Sequence, residues 1–96
     1  MPFDGKLDPV TLLLIEGREA IGRGWTQRAT ERDGAVCVMG ALGWPEGAIG
    51  NASAFSEAVK RLAKAINTHE IIAWNDHLDR TKEEVLAAFD RAICAS

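Results

Sequence analysis

Apolar residues return every three or four positions in three separate stretches, and each stretch predicts a helix. In the first, Val10, Leu13, Leu14, Gly17 and Ile21 share one side. Asp8 is placed to cap this helix, and Pro9 suits its first position because the missing N–H would be unpaired there anyway. Leu7 and Leu12 stand where a hydrophobic staple would cross the cap, and Gly22 or Gly24 ends the helix. Gly17 costs a helix ~1 kcal/mol against alanine, so the expected compensation is close approach of another backbone. In the second stretch Phe55, Ala58, Val59, Leu62, Ala63 and Ile66 form the apolar stripe, while Glu57, Lys60, Arg61 and Lys64 take the wet side. Asn51 or Ser53 would cap it, and Asn67-Thr68 would stop it. In the third, Val85, Leu86, Phe89, Ala92 and Ile93 follow Thr81-Lys82-Glu83-Glu84. Those four residues read as a capping box, with Thr81 accepting from the third helical N–H and Glu84 reaching back.

The pattern breaks down between Trp25 and Gly50. Asp33-Gly34 is a turn signal. Ala35-Val36-Cys37-Val38-Met39 is β-branched enough for a short strand, yet Cys37 to Leu42 equally suits the opening of a short helix. The expected form is a brief extended piece that becomes helical near Cys37, with Gly43 to Gly50 as loop. Residues 1–96 are therefore predicted to form a single, mainly α domain. It is a compact bundle of about four helices with a Gly-rich middle segment that has room for a short strand or hairpin.

Composition narrows the function classes. Apolar residues make up 47% of the chain, enough for a core, though a small one at this length. Contact with a second copy would add burial, so a homo-oligomer is expected. A formal net charge of −3 lacks the concentrated basic field that DNA or an anionic membrane surface demands. The apolar run Leu12-Leu13-Leu14-Ile15 is too short to span a bilayer, and the first residues do not read as a secretory signal. Cys37 and Cys94 form no CxxC pair. A cytoplasmic protein with reduced thiols, no DNA or membrane partner and no cofactor is expected. Asp76, Asp79, Glu83 and Glu84 lack the spacing and glycine of a calcium loop, and His69 and His77 have no further ligand at zinc spacing. No metal is expected.

Two groups of residues are candidates for chemistry. The first is aromatic and amide-rich: Trp25, Gln27, Trp44, Trp74, Asn75 and Asp76. The chain has three tryptophans and no tyrosine, and all three indoles sit beside glycine, proline or turn residues. Such rings can stack on a base or sugar while amides read its edge. They equally serve as plugs that close a small core, and Asn75-Asp76 equally makes an Asx turn. Arg23 and Arg28 flank Trp25 and Gln27, a setting suited to a phosphate-bearing ligand. Arg18, Arg23, Arg28 and Arg32 are interleaved with Glu19, Glu31 and Asp33, which is also the pattern of a solvated face. The second group is Cys37 with His69 or His77 as base and Asn75 or Asp76 as orienter, the composition of a small cysteine hydrolase or amidase. Against it, a cysteine among Val36, Val38 and Met39 commonly packs as a small hydrophobe.

The chain also resembles a family of short bacterial and phage proteins known only as a domain of unknown function. The resemblance rests on Trp25 and Gln27, on Asp33-Gly34, on Cys37 with Gly40-Ala41-Leu42, and on Trp74-Asn75-Asp76 before a terminal helix. It covers most of the chain outside the first helix and the loop from Gly43 to Asn51. Arg28 departs from the family pattern, in which a small residue, often glycine, follows the glutamine. The family implies no activity. Its phage members suggest a non-catalytic protein that sequesters a nucleotide-derived signal of host immunity, held near Trp25, Gln27, Arg28, Trp74, Asn75 and Asp76. The alternatives are the Cys37 hydrolase and a structural dimerisation module, the latter expected to respond to changes at Phe55 or Phe89.

Overall fold

The computed structural model describes residues 8–44 and 52–94. Its elements in chain order are α1 (Pro9–Arg23), β1 (Glu31–Arg32), β2 (Ala35–Val36), α2 (Val38–Ala41), α3 (Ala52–Ile66), α4 (Ile71–Asn75) and α5 (Lys82–Cys94). The fold is mainly α: three long helices and two short ones among the described residues, with a small antiparallel hairpin in the middle.

The three periodic stretches form the three long helices. α1, α3 and α5 pack mutually, and their apolar stripes meet in one core of Leu14 and Ile21, Ala58 and Leu62, and Val85 and Phe89. Asp8 caps α1 by accepting from the Thr11 N–H at 2.8 Å, with Pro9 in the first turn. That hydrogen bond is the main reason the Asp8 carboxyl sits below its ordinary range, because it favours the charged form. Gly24, of the two glycines considered, ends α1, its N–H shared by the Ala20 and Ile21 carbonyls. At Gly17 a Cβ would lie 2.7 Å from the Phe89 ring edge and 3.3 Å from the Ala41 carbonyl oxygen. The close approach there is chiefly of an aromatic side chain from α5, with one backbone oxygen behind it.

α3 ends as its sequence predicts. Asn67 takes a left-handed φ of 59°. The Thr68 N–H reaches the Ala63 carbonyl at 3.0 Å and the Asn67 N–H reaches that of Lys64 at 3.3 Å, the paired bonds of a Schellman cap. Ser53 lies inside the helix and does not precede it. Asn51, Leu7 of the staple, and the loop from Pro45 onwards lie outside the described residues. At α5 the capping box is present in both directions: the Glu84 N–H donates to Thr81 Oγ1 at 3.2 Å, and the Thr81 N–H to Glu84 Oε1 at 2.9 Å. The second of these hydrogen bonds is the leading cause of a lowered Glu84 pKa. Phe55 and Phe89 are both buried in the core, so a change at either strikes the fold itself and does not report on a dimer contact.

The middle segment resolves into both readings in succession. Glu31 and Arg32 pair with Val36 and Ala35. Asp33 and Gly34 both have positive φ, 52° and 88°, as a tight two-residue hairpin turn requires. Cys37 then stops the strand and caps α2, its Sγ accepting from the Gly40 N–H at 3.4 Å. A Cβ at Gly40 would sit 2.1 Å from the Thr30 carbonyl oxygen, so only glycine allows α2 to lie against the bend that leads into the hairpin.

Candidate functional site

Two segments far apart in sequence, Trp25 to Thr30 and Ile71 to His77, are joined by a polar knot centred on Asn75. The Asn75 side chain is 1% exposed, and each of its hydrogen-bonding positions is used. Its Oδ1 accepts from Trp25 Nε1 at 2.9 Å and from the Val38 N–H at 3.1 Å. Its Nδ2 donates to the Thr26 carbonyl at 3.2 Å and to Asp76 Oδ1 at 2.9 Å. One amide therefore ties the end of α4 to the strand leaving α1 and to the first turn of α2. Gln27 adds a second clasp, its Nε2 donating to the carbonyls of Asn75 at 2.9 Å and His77 at 2.7 Å. Asp76 Oδ1 also accepts the Arg28 N–H at 2.8 Å.

That last bond fixes an unusual backbone. Arg28 has a φ of 64°, in the left-handed region that glycine tolerates and branched or long side chains disfavour. The bend turns the chain after Gln27 towards β1 while Arg28 stays exposed.

Beside the knot lies a cleft of about 630 Å³, within the range that holds small molecules. One wall comes from Arg28, Ala29 and Thr30, another from Cys37, Val38 and Met39. Trp44 and Ile72 face across it, and Asn75 and Asp76 at the end of α4 are also among the described lining. The surface is mainly apolar. Trp44 is 46% and Ile72 61% exposed, an uncommon degree of exposure for large apolar groups gathered around one hollow. Trp44 leans on Phe55, ring centroids 5.8 Å apart, so the core supports its position.

The candidate residues thus divide. Trp25, Gln27, Arg28, Asn75 and Asp76 come together. Arg28, Asn75 and Asp76 line the cleft, whereas Trp25 and Gln27 have their side-chain N–H groups engaged in the knot and border, again with Arg28 and with Arg32, a separate shallow hollow. Trp74 points elsewhere: the Arg80 guanidinium lies 4.0 Å above its ring, and Arg80 Nε donates to its carbonyl at 2.9 Å. It borders a smaller groove with Ala87 and Arg91. The arginine track is divided too, since Arg18 is ion-paired with Asp90 across α1 and α5. The hydrogen bonds it donates to Asp90 hold the Arg18 guanidinium even more firmly in its charged form.

Cys37 is buried and lines the cleft. Among the described residues no histidine nitrogen is hydrogen-bonded to its sulfur. His77 is exposed, its Nδ1 accepting from the Asp79 N–H at 3.1 Å, and exposed His69 lies in the turn between α3 and α4. Neither histidine is among the cleft residues. Among the described residues no group of three His, Cys, Asp or Glu side chains is arranged to hold a metal ion, and no helix is long and apolar enough to cross a membrane.

Ala29, Thr30, Met39 and Ile72 were not singled out in the sequence. Ile72 had the clearest signal, standing next to buried Ile71 in a helix of five residues, where two adjacent isoleucines cannot both face the core.

No curated protein and no solved structure matches the chain. A family model does, over residues 6–95, and its span takes in every element of the fold and both halves of the knot. The chain belongs to the family of unknown function DUF6197.

Proposed function

We propose that this protein is a small non-catalytic binding protein whose cleft sequesters a nucleotide-derived ligand. The observation that carries the reading is the cleft itself: an apolar hollow of small-molecule size with Arg28 and Asp76 at its polar side. Trp44, Met39 and Ile72 offer flat or flexible apolar surface for a ring. Arg28 offers a guanidinium for a phosphate. Binding without chemistry fits the state of Cys37, whose sulfur already caps α2 and has no histidine bonded to it. The knot holds three cleft walls in place before any ligand arrives, which lowers the ordering cost of binding.

A thermal-shift screen with cyclic and ADP-ribose-type nucleotides tests this. A ligand that binds only the folded chain raises the melting temperature in proportion to the logarithm of its excess over Kd. A flat response to the whole set would sink the nucleotide reading. Fast alkylation of Cys37 at neutral pH, before unfolding, would favour the hydrolase instead.

A second reading has its own observation. Leu78 is 81% exposed and follows α4 closely, on which Ile72 is also exposed. A homo-oligomer contact would cover these two apolar side chains. Sedimentation of wild type beside Leu78→Ser and Ile72→Ser distinguishes the cases: a dimer lost in the variants supports the contact, and a monomer throughout removes it.

A further inference from the structure

The charges around the cleft narrow the ligand class beyond the reading above, on which this inference rests. Arg28 and Asp76 are the charged residues among the described lining of the cleft. They are neighbours, joined by the Arg28 N–H to Asp76 Oδ1 bond at 2.8 Å. Yet their side chains form no ion pair, and the Arg28 guanidinium has no hydrogen-bonded partner among the described residues. Asp76 Oδ1 takes two donors, from Arg28 and Asn75, while its Oδ2 takes none among the described residues. The rim therefore presents one cation and one carboxylate oxygen that have no partner among the described residues.

The backbone at Arg28 adds an independent argument. A left-handed φ disfavours any residue with a Cβ, and glycine would fit this bend without strain. Among the described residues the fold gains nothing visible from an arginine side chain here, since it is exposed and has no partner among them. Strain held in place by a specific hydrogen bond, at the edge of a cleft, is the pattern of a residue kept for its side chain.

The geometry points to a cleft that selects a flat, apolar ligand carrying a single anionic group next to a hydrogen-bond donor. The anion lies on Arg28, and the donor, a hydroxyl or amine, meets Asp76 Oδ2. A second anionic group finds no cation in the described lining and is repelled by Asp76. Ligands with one negative charge, such as a phosphodiester on a ring system with a nearby hydroxyl, are favoured over polyphosphates.

The test uses two fluorescent probes with a similar flat body: 8-anilinonaphthalene-1-sulfonate, which carries one anion, and neutral N-phenyl-1-naphthylamine. Both are titrated against wild type, Arg28→Gly and Asp76→Asn. Glycine suits the bend, and asparagine keeps an oxygen for the Arg28 N–H, so each variant is expected to melt at or above the wild-type temperature or close below it. For the sulfonate, Arg28→Gly weakens binding roughly tenfold or more, and Asp76→Asn tightens it. For the neutral probe neither variant changes binding by more than about twofold. Equal sulfonate binding by wild type and a folded Arg28→Gly overturns the assignment, as does a matching loss of both probes. Failure of wild type to bind either probe also overturns it. The nucleotide reading is judged separately by the thermal-shift screen. A positive probe result with no nucleotide shift leaves the single-anion rule standing and removes only the nucleotide.

Discussion

The three-helix core and the Asn75 knot hold the same chain together by opposite means. The core joins α1, α3 and α5 through interchangeable apolar contacts, spread over many residues and tolerant of repacking. The knot joins Trp25, Thr26, Val38 and Asp76 through one amide whose every hydrogen-bonding position is assigned. A core of this kind supplies most of the stability. A satisfied polar centre contributes less net free energy but permits only one arrangement, because each misplaced partner leaves a buried group unpaired. The cleft draws on both: the core supports Trp44 through Phe55, while the knot joins the walls to one another, so the part of the molecule with the smaller energetic share sets how those walls meet.

The largest effect should come from the core. Phe89 is fully buried and touches the space beside Gly17, so Phe89→Ala is expected to cost roughly 3–5 kcal/mol. Chemical denaturation should show one cooperative transition moved to lower denaturant for all probes. The second effect separates the two regions. Asn75→Leu leaves Val38 N–H and Trp25 Nε1 without their acceptor, at a cost of roughly 2–4 kcal/mol. Hydrogen exchange should then quicken at Val38 and around Trp25 well before it quickens at Leu14 or Leu62. Uniform loss of protection across the chain would show that knot and core are one cooperative unit and break the comparison.

The smallest effect lies at the helix caps. Asp8 and Glu84 are both held below their ordinary pKa by backbone N–H donors. The unfolded chain thus binds protons at a higher pH than the folded one. The stability they add is complete at neutral pH and is lost as the pH falls below about 4, through the folded values. Melting temperatures of wild type and Asp8→Asn/Glu84→Gln at pH 7 and pH 3 check the sign: the double variant should lose less between the two conditions. An equal loss would move acid sensitivity away from the caps.

What could be read from the sequence follows the same division. α1, α3 and α5 were legible because their signals are local: Asp8-Pro9, Thr81 with Glu84, Asn67, and apolar stripes of helical period. The hairpin and α2 were half legible, since Asp33-Gly34 marks the turn but strand and helix propensity overlap from Ala35 to Leu42. The meeting of Trp25 and Gln27 with Asn75 was expected from the aromatic-amide clusters alone. The partners of each atom were not, because nothing in a sequence says whether an indole N–H faces a ligand or an asparagine some fifty residues away. Trp74 illustrates the limit. It shares the turn-rich setting of Trp25, yet Arg80, six residues on, covers its ring. Ile72 is half legible: the Ile71-Ile72 pair says that one isoleucine faces outward, but α4 is too short for a period to say which.

Synthesis of the chain runs from the amino end, and the Asn75 amide arrives after both of the segments it ties. Until α4 has emerged, the Val38 N–H and the Trp25 indole have no acceptor from it, and the walls beside Met39 have nothing to close against. The hollow thus takes shape only once residues up to α4 have been made, after the walls that α4 joins.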